Sequence, residues 1–196
     1  MATKVPSQPS PQLTISLPQW LPGYITDQGT QFADDRARMA LAIGLSRENV
    51  VHGGSPFGAV VFAGPHVVAG GVNCVLDAGF SIAHAEIVAL MHAQHVLAQP
   101  GAPEGPYTLY SSAEPCCQCF GAVFWSNISR LVCGAHRSDT EAIGFDEGPK
   151  PDHWAQAMQQ YGIEVEEGLL RTEAAAVIRD YAAQGGPVYG RSRQGC

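Results

Sequence analysis

Along this chain, short β-branched runs alternate with stretches in which apolar residues recur every three to four positions. Phe32, Met39, Ile43 and Val50 keep that spacing or its multiples, which predicts a helix from about Gln31 to Val51, stopped by Gly53-Gly54. The run Pro56 to Phe62 predicts a strand, Gly64-Pro65 a turn, and Val67 to Asn73 the second arm of a hairpin. Ser81 to Gln99 predicts a second helix closed by Pro100-Gly101, apolar on more than one face and so packed under a sheet. Strands follow at Tyr107–Ser111, Arg130–Gly134 and Ile163–Glu166, with helices at Cys116–Trp125 and Leu169–Ala183. A helix, a hairpin and then strands alternating with helices predict an α/β fold with a mixed sheet.

Residues 1–29 hold five prolines by Pro22 and read as an extended lead-in, with Leu17, Trp20 and Leu21 docking its end on the domain. Residues 30–184 form one domain, and 185–196, with Gly185-Gly186-Pro187, an irregular tail. The 45% hydrophobic fraction excludes wholesale disorder, and no apolar run is long enough for a membrane-spanning helix. The net charge of −7 and the scattered Arg and Lys argue against nucleic acid as a partner, leaving a small neutral molecule as the better fit.

Six cysteines change the picture through their spacing. The N-terminus lacks a secretory pattern, so a cytoplasmic, reducing setting is expected, where clustered cysteines bind metal or react more often than they pair. Cys116, Cys117 and Cys119 crowd the start of a predicted helix, whereas Cys74, Cys133 and Cys196 stand alone. Cys116 and Cys119 share one face of a first turn, where the helix dipole favours thiolates. Two thiolates and the His84 imidazole suit zinc, and three protein ligands leave the fourth position to water. Glu86, two residues after His84, is placed to take a proton from such a water. The signature H-x-E followed by P-C-x-x-C is that of the zinc nucleobase deaminases, with the Glu outside the metal shell. Cys117 points away from the Cys116–Cys119 face, and His52, His66, His92, His95, His136 and His153 read as surface or hydrogen-bonded residues.

From Gln31 to Glu147 the chain resembles the cytidine-deaminase-like superfamily, and most closely its guanine deaminases. The resemblance rests on Pro56-Phe57-Gly58-Ala59, Asn73, His84-Ala85-Glu86, Glu114-Pro115-Cys116-x-x-Cys119, Gly121 to Trp125 and Gly144-Phe145-Asp146-Glu147. It implies a three-layer α-β-α sandwich around a mixed five-stranded sheet, one Zn2+ per subunit on His84, Cys116 and Cys119, and a homodimer. It implies catalytic roles for Glu86 and Glu147, a base-edge reader in Asn73, and substrate contacts from Phe57, Ala85 and Trp125. Family members exchange C-terminal tails that cover the neighbour's site with an aromatic residue, which would be Tyr189 here. Cys117 and Gln118 stand where Pro and Met are commoner, and Glu147 is one methylene longer than the expected Asp. The implied reaction is hydrolysis of guanine to xanthine and ammonia. Cytosine, an aminotriazine such as ammeline, and a tRNA adenosine remain alternative substrates, and a zinc-stabilised binding module remains a non-enzymatic alternative.

Overall fold

The structure, a computed structural model, describes residues 14–29, 31–99 and 105–190. The outer parts of the lead-in and tail, 1–13 and 191–196, lie outside them. Five strands form one mixed sheet: β1 (Gly58–Ala63), β2 (His66–Val72), β3 (Tyr107–Ala113), β4 (Ile128–Ala135) and β5 (Glu164–Glu166), in the order β2-β1-β3-β4-β5. The β1 strand pairs antiparallel with β2 and β3, while β3, β4 and β5 run parallel.

Both faces of the sheet are covered, and β1 is accordingly apolar and buried along its whole length. Along β1 the two-residue period sends Val60 and Phe62 to one core and Ala59, Val61 and Ala63 to the other. The first core is closed by helices α1 (Trp20–Asp27), α2 (Asp35–Val51) and α8 (Arg171–Ala183), through Leu21, Met39, Ile43, Leu45 and Ile178. The second is closed by α4 (Ala85–Leu97), α5 (Cys117–Trp125) and α7 (Trp154–Gln160), through Ala89, Ala93, Val123, Trp154 and Met158. This is the three-layer sandwich expected from the sequence.

Several boundaries differ from expectation, each for a local reason. The lead-in is not extended at its end: residues 20–27 are helical, and Leu21 is fully buried. Helix α2 begins at Asp35 and not at Gln31, because the Asp34 side chain accepts from the Ala37 N–H at 2.8 Å and caps it. Gln31 is instead bridged to His66. Helix α4 begins at Ala85 and not at Ser81, and the short α3 (Val75–Ala78) occupies part of the preceding connection. The β3 strand runs on to Ala113, where the buried Ser112 hydroxyl accepts from the Gly58 N–H at 3.0 Å. Helices α6 (Arg137–Glu141) and α7 were not anticipated: α6 is wholly polar, and Trp154 and Met158 are the large apolar residues of α7.

Gly71 on β2 is where α4 meets the sheet. A Cβ there would lie 2.3 Å from the Ala89 backbone nitrogen and 2.7 Å from the Ala85 carbonyl oxygen, so only glycine admits this approach. Gly71→Ala should therefore lower unfolding stability by about 2–3 kcal/mol in urea denaturation, because backbone has to move.

Candidate active site

Helices α4 and α5 both begin near the carboxyl ends of the sheet, and a histidine and a cysteine are their N-cap residues. His84 (φ −70°, ψ 157°) and Cys116 (φ −66°, ψ 175°) have extended backbones while their carbonyls already accept from Val88 N–H and Phe120 N–H. Cys119 follows in the first turn of α5 and is fully buried. The chain thus turns two helix N-termini towards one point, where their dipoles favour negative charge.

At that point His84 Nδ1 lies 3.4 Å from Cys116 Sγ and 3.6 Å from Cys119 Sγ. All three donor atoms fall within 4.8 Å of one another. Zinc bonded tetrahedrally to nitrogen at about 2.0–2.1 Å and to sulfur at about 2.3 Å separates those donors by about 3.5 Å. The donor set and its spacing therefore fit zinc. Cys117 stands outside the group, its sulfur turned towards Gly148, and Gln118 donates to the Ile82 carbonyl at 3.2 Å.

The local field splits the two thiols. A hydrogen bond from Cys119, opposed by burial and aided by His84, brings Cys116 down to about 4. The same hydrogen bond and burial push Cys119 up. Burial opposes charge on His84, but its hydrogen bond and charge contact with Cys116 outweigh that and raise it. Glu86 is buried beside these groups, and desolvation followed by the Cys116 charge raises its carboxyl. Glu147 is raised to about 7 by desolvation first and then by Cys116, with a Thr140 hydrogen bond pulling the other way. A carboxyl near that value holds and releases a proton at neutral pH.

These groups open on a cavity of about 360 Å³, within the size range of small-molecule sites. Its walls include Phe57, Asn73, His84, Glu86, Cys116, Glu147 and Tyr189. Asn73 is pinned from several sides. Its Oδ1 accepts from Val75 N–H at 3.1 Å and from the Tyr189 hydroxyl at 2.7 Å, and its carbonyl accepts from Asn49 Nδ2 at 3.0 Å. Phe57 meets Phe145 edge-on with centroids 5.2 Å apart, and Phe145 meets Tyr189 likewise at 5.4 Å.

Seven of the ten residues singled out from the sequence for the metal, chemistry or substrate thus line this cavity together, Phe57, Asn73, His84, Glu86, Cys116, Glu147 and Tyr189, and an eighth, Cys119, completes the donors. Tyr189 stands in the cavity of its own chain. Two residues expected to contact substrate are not among those lining the cavity. Trp125 does not line the cavity: it ends α5, roughly 13 Å of helix beyond Cys116, and is 84% exposed. Ala85 does not line it either, because it is buried in the core under the sheet. The sequence reading gave no role to Phe145 or Asn49. The aromatic character of Phe145 within Gly144-Phe145-Asp146-Glu147 was a usable signal, whereas nothing local marks Asn49 in the middle of α2.

Residues 33–135 match the cytidine and deoxycytidylate deaminase zinc-binding region. The guanine deaminase of Bacillus subtilis (strain 168) is 36% identical over 112 residues, which cover 54% of this chain and 67% of that protein. Among solved structures, guanine deaminase from Nitrosomonas europaea superposes with a TM-score of 0.79 at 40% identity, covering 90% of this chain and all of that one. A structure of NE0047 in complex with 2,6-diaminopurine gives a TM-score of 0.79 at 41% identity, over 90% of this chain and 96% of that one. With its donor set at tetrahedral spacing and its sheet order in place, the chain belongs to the zinc-binding cytidine and deoxycytidylate deaminase family.

Proposed function

We propose that this protein is a zinc-dependent aminohydrolase that converts guanine and water into xanthine and ammonia. The observation that carries the reading is a single cavity whose walls combine His84 and Cys116 of the His84-Cys116-Cys119 donor group, two buried carboxyls, Glu86 and Glu147, the Asn73 amide and the Phe57 ring. Similarity to guanine deaminases over nine-tenths of the chain supports guanine over other amino-substituted rings. The charge of −7 weighs against a tRNA substrate.

His84 Nδ1 and the two sulfurs would hold one zinc ion per subunit, which would supply Lewis acidity and lower the pKa of a bound water towards about 7. Glu86 takes a proton from the water whose oxygen bonds to C2 of the base, and delivers it to the adjoining ring nitrogen. C2 becomes tetrahedral. The second water proton, lost from the new C2 hydroxyl and carried by Glu86 or Glu147, reaches the amino nitrogen; the C2–N bond breaks, ammonia leaves and the C2 carbonyl of xanthine remains. Asn73, with Oδ1 already accepting two hydrogen bonds, offers Nδ2 to the edge of the base. Phe57 supplies an apolar flank for its face. The Glu147 carboxylate accepts from the exocyclic amine, and a base lacking that donor leaves a buried acceptor unpaired.

The protein acts as a homodimer in the cytoplasm in this reading. An 84% exposed Trp125, edge-on to Phe124, supports a covering second copy, and five free thiols among the described residues suit a reducing compartment. Sedimentation equilibrium should return twice the 20.7 kDa of one chain, and a monomer at micromolar concentration overturns the assembly.

Glu86→Gln should retain zinc yet lose about 10²- to 10⁴-fold in kcat for ammonia release from guanine. In the wild type, a panel of guanine, cytosine, adenine and ammeline should show the highest kcat/KM for guanine. Unchanged kcat in the variant, or cytosine or ammeline leading the panel, contradicts the reading.

Metal content separates ligands from neighbours. His84→Ala should release zinc on dialysis, whereas Cys117→Ala should keep it, as its sulfur lies outside the donor group. Zinc loss in the second variant and retention in the first would reverse the assignment.

A further inference from the structure

Behind the turn between β3 and α5 lies a buried charged group that the reaction leaves without a role. One of the two lysines in this chain, Lys150, has a side chain only 1% exposed. Its ammonium donates to Glu114 Oε2 at 3.2 Å and to the Pro115 carbonyl at 2.9 Å, and it stands 4.3 Å above the Trp154 ring. The other Glu114 oxygen is 2.7 Å from His136 Nδ1. A buried ammonium is costly unless paired and hydrogen-bonded, and here a carboxylate, a carbonyl and a ring face all meet it.

These contacts tie together three segments that reach the site separately. Glu114 and Pro115 lead directly into Cys116; His136 follows β4 and caps α6; Lys150 ends the stretch that carries Glu147. A further backbone bond, from Cys117 N–H to the Glu147 carbonyl at 2.9 Å, joins the first segment to the third. The carbonyl that Lys150 holds belongs to the peptide bond of the Cys116 nitrogen, so its direction helps set how the Cys116 sulfur is presented to His84 Nδ1.

We infer that Lys150 is a positioning residue of the metal site, holding the Glu114-Pro115 turn so that Cys116 meets His84 at donor spacing while Glu147 faces the cavity. A competing reading of the same cluster as a second cation site, with Glu114, His136 and Glu167 as donors, fits less well. The 2.7 Å contact between Glu114 and His136 is a hydrogen bond that leaves no room for an ion between them, and Lys150 already supplies the positive charge. A buried ion pair that only stabilises can often be exchanged for apolar groups at little cost. Lys150 differs because its second acceptor is the backbone immediately before a metal ligand.

The inference draws on the aminohydrolase reading only for its kinetic arm; the metal arm stands without any substrate. The test uses the full chain, wild type beside Lys150→Met and the charge-balanced Lys150→Met/Glu114→Gln. Cobalt replaces zinc to read donor geometry from the thiolate charge-transfer and d–d absorption bands. Chelator competition reads affinity, and kcat and KM for guanine are measured at saturating zinc. Both variants should show shifted cobalt bands, metal binding weakened about 10- to 100-fold, and a kcat that falls more than KM rises. Variants that lose thermal stability while keeping the wild-type cobalt spectrum and metal affinity overturn the inference. If Lys150→Met does not fold, the double variant carries the same comparison, and failure of both to fold also overturns it, since the lysine would then serve the core. Wild-type protein that binds cobalt but leaves guanine untouched sinks the proposed reaction and not the role of Lys150.

Discussion

Two helix N-termini converging on one point constrain everything else at this site. His84 and Cys116 each occupy an N-cap with extended backbone, and Cys119 lies one turn into its helix. Their donor atoms stand 3.4 and 3.6 Å apart from the imidazole, close to the edge of a zinc tetrahedron. That spacing requires α4 and α5 to lie on the same face of the sheet with matched starting points. Gly71 lets α4 approach β2 closely, and the parallel pairing of β3 with β4 places the turn into α5 at the sheet's carboxyl edge. In open α/β sheets, ligands gather at that edge.

Placing this much chemistry in a small space puts several carboxyls out of water. Glu86, Glu114 and Glu147 are all buried, and each meets its burial differently. Glu114 is met by Lys150 and His136, while Glu147 is held at about 7 by desolvation and the neighbouring thiolate. A carboxylate in direct contact with a cation serves as a support; one raised to about 7, although a Thr140 hydrogen bond and the Lys150 charge pull it down, is suited to carrying protons. The contrast between Glu114 and Glu147 divides the acidic residues of the site between architecture and proton transfer.

How much of this the sequence disclosed varies with how local the signal was. The strands and long helices were legible because burial on one or two faces imposes a period on apolar residues. Helix α6, with no apolar residue between Arg137 and Glu141, left no such trace, and α1 was hidden by Pro22 and the prolines that precede it, although Leu21 proved fully buried. The donors and Glu86 were legible because residues i, i+2 and i, i+3 of a helix start share a neighbourhood wherever the helix lies. Trp125 and Ala85 fall outside the cavity lining of the single chain, because family resemblance carries a position in the chain and not the direction of a side chain.

The sequence by itself therefore determined the donor types, their grouping at two helix starts and the layered α/β order, since all of these follow from spacing along the backbone. Only the tertiary structure decided that His84 and the cysteines share one point, that Tyr189 reaches Asn73, and that Lys150 sits against Pro115. Those contacts join residues 32, 116 and 35 positions apart, and no periodicity extends over such separations. They depend on sheet order and on burial, which the chain acquires only when its cores close.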